Sequence, residues 1–232
     1  MNVVTAARQK VLVAAVDWVV MPGEYWVIGG PHGSGKTDLL MTAAGLHRPD
    51  GGFLRLFGQD PAQLSEAEAL KQRTRIGFVF KGGGRMFVDL TVAENIALPL
   101  CYHHGWSTEQ AREEVQAMLE LTKLTALAAE TAHSLRPDLR QRVGLARALA
   151  LKPEVLFLDE PAAGLEAGHR NWWRDFLGRL SDGSAFGAGQ KTTVIVATSD
   201  FSLWHEDKRR YALVKDKRWQ ILKEHSEYPQ ID

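Results

Sequence analysis

The sequence predicts an α/β fold in which helices cover a mostly parallel sheet. Three short apolar segments, residues 25–28, 155–158 and 194–197, lack the alternation of a half-exposed strand and are typical of strands buried on both faces. Segments with helical periodicity separate them, and strands that alternate with helices usually form a parallel sheet. A glycine-rich stretch directly after the first segment is the third observation, because ligand-binding loops lie at the carboxyl ends of such strands.

One region is expected to depart from the parallel sheet. Residues 11–28 hold two β-rich runs on either side of a turn at Pro22 and Gly23. Glycines bracket a further run at residues 53–57 (FLRLF). We expect these runs to pair as an antiparallel β region near the glycine-rich loop.

The middle of the chain has a helical pattern. From about residue 91 to residue 150, apolar side chains recur at helical spacing, which predicts an inserted helical subdomain. The chain is therefore expected to form a single domain over residues 1–232. Its core is assigned to residues 1–90 and 151–232, with the helical subdomain between them.

Composition excludes several classes of protein. The 232 residues are 45% hydrophobic, and 28 basic side chains balance 28 acidic ones, so the chain has no overall field for nucleic acid. No nucleic-acid partner is expected. The single cysteine, Cys101, cannot form an internal disulfide, which favours a reducing cytoplasm. The longest apolar run, residues 11–21, contains Asp17 and is too short to span a bilayer. If the protein acts at a membrane, we expect it to bind a membrane partner from one side.

The glycine-rich stretch matches the phosphate-binding pattern G-x-x-x-x-G-K-[ST]. In such loops the glycines let backbone N–H groups converge on phosphate oxygens, and the following helix N-terminus adds partial positive charge. The lysine, here Lys36, bridges the terminal phosphates. The candidate nucleotide-binding residues are Gly30, Pro31, His32, Gly33, Ser34, Gly35, Lys36, Thr37 and Asp38.

A metal and a catalytic base complete the predicted chemistry. The Thr37 hydroxyl is expected to bind Mg²⁺ together with Asp159, which ends the apolar strand at residues 155–158. The alternative for Asp159 is a turn or helix-capping role. Glu160, one residue further, is the candidate base that polarises a water against the terminal phosphate. Lys36 and Glu160 are thus the candidate catalytic residues for hydrolysis of ATP or GTP.

The order of six segments resembles the ATP-binding cassette (ABC) ATPases over nearly the whole chain. This resemblance implies a P-loop NTPase fold of ABC ATPase type, ATP and Mg²⁺ as cofactors, and pairing with a second ABC subunit as a homodimer or heterodimer. It also implies a transmembrane permease as partner, at the cytoplasmic face of the membrane. The segments are residues 30–37, 77–80 (GFVF), 90–95 (LTVAEN), 141–149 (QRVGLARAL), 158–161 (LDEP) and 164–165 (GL).

A finer resemblance concerns cargo and docking. Residues 83–100 are most similar to the ATPases of Mla-type phospholipid transport and related lipid exporters, which implies a lipid or other hydrophobic cargo. In the family the corresponding loop receives a helix of the permease, so residues 81–100 are the expected docking segment. Met86, Phe87 and Val88 would supply apolar contact. The alternative is that these side chains only pack the helical subdomain.

Several positions depart from the family pattern. The signature Leu-Ser-Gly-Gly-Gln aligns with residues 135–139 (LRPDL), where Pro137 has no N–H and Asp138 brings negative charge towards phosphate. Lys81 replaces a glutamine, and Ser199 replaces a histidine. Asp38 stands where a Ser or Thr normally touches phosphate, so nucleotide affinity is expected to fall.

These changes leave two functions open. The first is an ATP-hydrolysing transporter subunit with weakened activity. The second is a degenerate cassette with a structural or regulatory role and little or no hydrolysis. A third, a cassette protein of nucleic-acid repair or translation, is disfavoured because the chain has neither tandem cassettes nor a long coiled insertion.

Overall fold

The computed structural model describes residues 3–4, 11–187, 189–206 and 208–223. Within these ranges, eight strands lie in two sheets. The strands are β1 (Val3–Val4), β2 (Val11–Val13), β3 (Tyr25–Gly29), β4 (Ile76–Val79), β5 (Val155–Asp159), β6 (Thr193–Thr198), β7 (Arg210–Lys215) and β8 (Arg218–Leu222).

Six α-helices surround the larger sheet within the described ranges. They are α1 (Lys36–Ala43), α2 (Glu66–Thr74), α3 (Val92–His104), α4 (Arg112–Leu121), α5 (Pro137–Leu149) and α6 (Ala167–Asp182). A short 3₁₀ turn, Lys81–Gly83, follows β4 directly. In this part of the chain, no helix combines the length and apolar character needed to cross a membrane.

The larger sheet has the strand order β4-β5-β6-β3-β7-β8. Its pairs are parallel except for the antiparallel pair of β7 and β8. Gly29 pairs with Thr198, and Asp159 pairs with Ala197, so the carboxyl ends of β3, β5 and β6 meet at one edge. This edge collects the residues of the predicted site, as expected for an open α/β sheet.

Both faces of the sheet are covered, which explains the absence of alternation in its strands. Every residue of β3 and β6 is buried. One face packs against α1 through Leu39 and Leu40, and the other shares a core with α3, α4, α5 and α6 through side chains such as Ile96 and Trp173. The predicted mostly parallel, doubly covered sheet is therefore confirmed.

The expected antiparallel β region is only partly present, because β3 pairs in parallel with β6 and β7 and not with the run that precedes it. Residues 53–57 do not form a strand, and Leu56 makes a single bridge to Gln59. The Leu56 carbonyl accepts a hydrogen bond from Gln72 Nε2 of α2, while the Phe57 ring packs beneath the guanidinium of Arg75. These contacts with side chains replace strand pairing. The antiparallel pairs among the described residues are β1 with β2 and β7 with β8.

Candidate functional site

The glycine-rich loop joins the end of β3 to the start of α1, the predicted order of strand, loop and helix. Gly35 precedes the helix with φ of +99°, a backbone conformation that favours glycine. A Cβ on Gly30 would lie 2.2 Å from the Val214 carbonyl oxygen, so only glycine fits against β7 there. The loop therefore presents the free N–H groups of the first α1 turn to the cavity beside it.

Lys36 lies folded against the loop rather than extended into solvent. Its side chain is 5% exposed, and Nζ donates to the carbonyl oxygens of Gly30 at 2.6 Å and Pro31 at 3.0 Å. Nζ also lies 3.5 Å from Glu160 Oε1. Burial lowers the pKa of Lys36, and the neighbouring Glu160 carboxylate opposes that shift. The ammonium group is thus placed between the loop and the acids that end β5.

Thr37 and Asp159 meet across the cavity, since Thr37 Oγ1 donates to Asp159 Oδ2 at 2.9 Å. Asp159 is 5% exposed, and its other oxygen, Oδ1, is buried with no hydrogen-bond partner among the described residues. Burial raises the pKa of Asp159, and the hydrogen bond from Thr37 partly offsets the rise. A hydroxyl beside an unpartnered carboxylate oxygen is a donor set that suits Mg²⁺. The residues present therefore fit the metal that the sequence implied.

Glu160 is buried and held in place by several groups. Its φ of +49° is uncommon for a residue with a side chain. Its N–H donates to the Ala197 carbonyl at 2.9 Å, and its own carbonyl accepts from Gln141 Nε2 at 3.3 Å. Oε2 accepts from Ser199 N at 3.1 Å and from Ser199 Oγ at 3.3 Å. Ser199, noted from the sequence only as a lost histidine, contacts the candidate base directly.

A cavity of about 280 Å³ connects these groups. Most of the predicted nucleotide-binding residues line it, including the half-buried Asp38, whereas Gly30, Pro31 and Ser34 are not among the lining residues. Lys81 joins the lining from the turn after β4. The lining residues are Leu12, His32, Gly33, Gly35, Lys36, Thr37, Asp38, Lys81, Asp159 and Glu160.

The altered signature lies at the start of α5. Asp138, in the first helical turn, is 3.1 Å from Arg136 Nη2 and 3.2 Å from His169 Nδ1 of α6. Arg142 Nη2 lies 3.2 Å from the same His169 nitrogen, and its guanidinium stacks over Trp172. The Asp138 carboxylate is therefore held in the first turn of α5 by Arg136 and by His169 of α6. These contacts between α5 and α6 join residues about 30 positions apart and have no local sequence pattern, so the sequence analysis did not predict them.

The expected docking segment is partly exposed. Phe87 is 56% exposed and Val88 is 42% exposed, whereas Met86 packs against the core. Asn95 is fully buried and fixes the segment, because its side chain donates to the Phe87 carbonyl at 3.0 Å and accepts from the Phe87 N–H at 3.2 Å. Two of the three predicted apolar contacts thus face outward.

The fold and this site define a nucleotide-binding α/β protein with a phosphate loop between a buried strand and a helix. The chain belongs to the ABC transporter family, whose sequence model matches residues 13–163. The family and a similar solved ATP-binding cassette bound to ADP and Pi agree with the predicted cofactors, ATP and Mg²⁺.

Curated relatives share one description. The sulfate/thiosulfate import ATP-binding protein CysA of Synechococcus elongatus is 42% identical over 167 residues, which are 72% of this chain and 46% of that protein. CysA of Caulobacter vibrioides is 37% identical over 206 residues, or 88% of this chain and 57% of that protein. The chain spans about half the length of the curated relatives it matches. Their descriptions do not support the lipid-transport subfamily expected from residues 83–100.

Solved structures confirm the fold. The dimeric, post-hydrolysis structure of the ATP-binding cassette MJ0796 bound to ADP and Pi has a TM-score of 0.80 at 27% identity, covering 96% of each chain. The structure of cbiO1 from Clostridium perfringens, part of the ABC transporter complex cbiONQ, has a TM-score of 0.78 at 22% identity. It covers 94% of this chain and 84% of that one. The predicted α/β fold of ABC ATPase type is confirmed.

Proposed function

We propose that the chain binds ATP with Mg²⁺ and hydrolyses it to ADP and phosphate as the ATP-binding subunit of an ABC transporter. The observation that carries this proposal is the convergence of Lys36, Thr37, Asp159 and Glu160 on one cavity beside the loop. An unpartnered Asp159 oxygen and a buried lysine are the features that a metal-bound polyphosphate would satisfy.

Each residue has one task in the proposed reaction. Lys36 exchanges its contacts with the loop carbonyls for oxygens of the terminal phosphates. Thr37 and Asp159 hold Mg²⁺, which when bound neutralises phosphate charge. Glu160 accepts a proton from the attacking water, and the two hydrogen bonds from Ser199 keep its carboxylate in position.

The proposed assembly follows from the family and from the exposed segment. The similar cassette bound to ADP and Pi is dimeric, which supports a second ABC subunit as partner. Residues 81–100 present Phe87 and Val88 outward, which supports a permease contact at the cytoplasmic face of the membrane. For the cargo, relatives named for sulfate and thiosulfate import favour a small inorganic oxyanion over a lipid.

The test compares ATP binding with phosphate release for the purified chain and two variants. We expect Lys36→Ala to lose most ATP binding, because it removes the buried phosphate cation. Glu160→Gln should keep ATP binding within about threefold while hydrolysis falls at least about a hundredfold, as is typical of a lost general base. Equal phosphate release by the unaltered chain and the glutamine variant would contradict hydrolysis at this site.

A second candidate function is a cassette that binds nucleotide but turns it over poorly. The Asp138 carboxylate at the start of α5 favours it, because negative charge there opposes phosphate from a partner site. In that case the unaltered chain and Glu160→Gln would bind ATP equally, with the same background phosphate release. Lys36→Ala would still abolish binding.

A further inference from the structure

Lys81 is an exposed cation that lines the cavity beside the glycine-rich loop. It begins the Lys81–Gly83 turn after β4 and lines the cavity with Thr37, Asp159 and Glu160. Its side chain is exposed, and within the described ranges it makes no hydrogen bond or ion pair. The ammonium group is therefore free to bind a ligand that enters this cavity.

The charges of the cavity wall show why a further cation matters for a polyphosphate ligand. Three carboxylates, Asp38, Asp159 and Glu160, face two ammonium groups, Lys36 and Lys81. Lys36 is already engaged by loop carbonyls and by Glu160. Without Lys81, the wall would oppose a polyphosphate with three negative charges against one positive charge. Lys81 thus supplies a compensating charge that the extra carboxylate of Asp38 makes necessary.

The turn that carries Lys81 has a fixed position. A Cβ on Gly83 would lie 2.6 Å from the Arg140 carbonyl oxygen, and a Cβ on Gly144 would lie 2.6 Å from the Gly83 carbonyl oxygen. The backbones of the turn and of α5 are therefore in direct contact. Because α5 also holds Glu160 through Gln141, Lys81 and the candidate base are positioned by the same helix.

We propose that Lys81 binds the terminal phosphate of ATP and supplies part of the positive charge that Mg²⁺ otherwise provides, so that ATP binding here depends only weakly on Mg²⁺. The proposal rests on the proposed function, because it requires ATP in the same cavity. It gives the lysine a role that a neutral glutamine cannot fill, since an ammonium contact with phosphate is a charge-assisted hydrogen bond.

The test measures equilibrium dissociation constants for ATP and ADP in excess Mg²⁺ and in EDTA. The variants are Lys81→Gln and the charge-preserving Lys81→Arg, with Lys71→Gln on the exposed face of α2 as a matched control. For the unaltered chain, removal of Mg²⁺ should weaken ATP binding by less than about threefold. For Lys81→Gln the loss should reach about tenfold, equivalent to about 1.4 kcal/mol.

Comparison of ATP with ADP shows which phosphate Lys81 contacts. In EDTA, Lys81→Gln should weaken ATP binding by about tenfold and ADP binding by less than about threefold, while Lys81→Arg and Lys71→Gln stay close to the unaltered chain. Equal Mg²⁺ dependence in the unaltered chain and Lys81→Gln would overturn the proposal. So would tighter binding of ATP with Mg²⁺ by Lys81→Gln, because the lysine would then compete with the metal.

A Lys36→Ala variant separates this proposal from the proposed function. If the unaltered chain binds no ATP, or if Lys36→Ala binds it equally well, both proposals fail. If ATP binding depends on Lys36 but Lys81→Gln shows the same Mg²⁺ dependence of ATP binding as the unaltered chain, only the role of Lys81 is overturned.

Discussion

Thr37 Oγ1 donates a hydrogen bond of 2.9 Å to Asp159 Oδ2, although the two residues lie 122 positions apart in the chain. The contact joins the first turn of α1 to the end of β5. It leaves the second carboxylate oxygen of Asp159 buried without a hydrogen-bond partner in the described part of the chain. The relationship places a hydroxyl and a carboxylate together where a nucleotide-bound metal would lie.

Replacement of Thr37 by valine should make ATP binding insensitive to Mg²⁺. The change keeps the side-chain shape but removes the hydroxyl that would bind the metal, so ATP affinity in Mg²⁺ should fall by up to about threefold, to the value that the unaltered chain has in EDTA. In EDTA the affinity of the variant should match that of the unaltered chain. Thr125→Val, at an exposed position in another turn, controls for loss of any hydroxyl. Equal losses in both buffers would show that Thr37 acts without the metal.

Replacement of Asp159 by asparagine should stabilise the protein without nucleotide while impairing the site. A buried carboxylate with an unpartnered oxygen costs folding free energy, and the amide removes that charge while still accepting the bond from Thr37. A gain of about 1 kcal/mol would raise Tm by about 2–4 °C for a chain of this size. Thermal denaturation in EDTA measures the gain, and ATP titration measures the loss of Mg²⁺ dependence. A lower Tm would contradict the cost assigned to this carboxylate.

The sheet was predictable because its signal is local. Each central strand is a short apolar run, and burial on both faces follows from that pattern. The run at residues 53–57 has a similar composition, yet it forms no strand. Gln72 donates a hydrogen bond to its backbone, and Arg75 packs over the Phe57 ring. Strand formation needs a partner edge, and a single sequence does not say which segment will supply it.

The site was predictable to the same extent. The loop residues are consecutive in the sequence, and so are the two acids at the end of β5, so each pattern could be recognised locally. Ser199 and Glu160 lie 39 positions apart and meet only because β5 and β6 pair in register. The contact of Asp138 with His169 likewise depends on how α5 packs beside α6. Geometry of this kind has no local sequence signal.

Ser199→Ala should reduce hydrolysis with little change in ATP binding. The variant removes the hydroxyl that donates to Glu160 Oε2 but keeps the backbone N–H that donates to the same oxygen. With one of two orienting bonds lost, the maximal rate should fall by about tenfold, while the dissociation constant for ATP changes by less than about threefold. Ser199→Thr keeps a hydroxyl and serves as the control. A proportional rise in the dissociation constant would instead place Ser199 on the nucleotide.

Asp138→Asn should lower the stability of the protein and raise its rate of ATP hydrolysis. The carboxylate lies in the first turn of α5, where negative charge stabilises the helix by about 0.3–1 kcal/mol, so the amide should lower the free energy of unfolding by that amount. Removing charge that repels a partner's phosphate should raise hydrolysis in the dimer by about threefold to tenfold. Denaturant unfolding and phosphate release measure the two effects. Loss of stability without any gain in rate would show that this end of α5 does not face nucleotide.

Gly144→Ala should destabilise the protein, whereas the matched change Gly178→Ala should not. Both glycines lie inside helices, but a Cβ on Gly144 of α5 would lie 2.6 Å from the Gly83 carbonyl, and a Cβ on Gly178 of α6 would meet no atom within 4 Å. Separating the Lys81–Gly83 turn from α5 should cost about 1–3 kcal/mol, as overpacking does elsewhere.

Gly178→Ala should gain about 0.5–1 kcal/mol from helix propensity alone. Urea denaturation of both variants isolates the contact, because the chemical change is the same. The displaced turn should also carry Lys81 away from the cavity, so Gly144→Ala should weaken ATP binding in EDTA while Gly178→Ala leaves it unchanged. If both variants gain stability, the close contact between the turn and α5 is not present in solution.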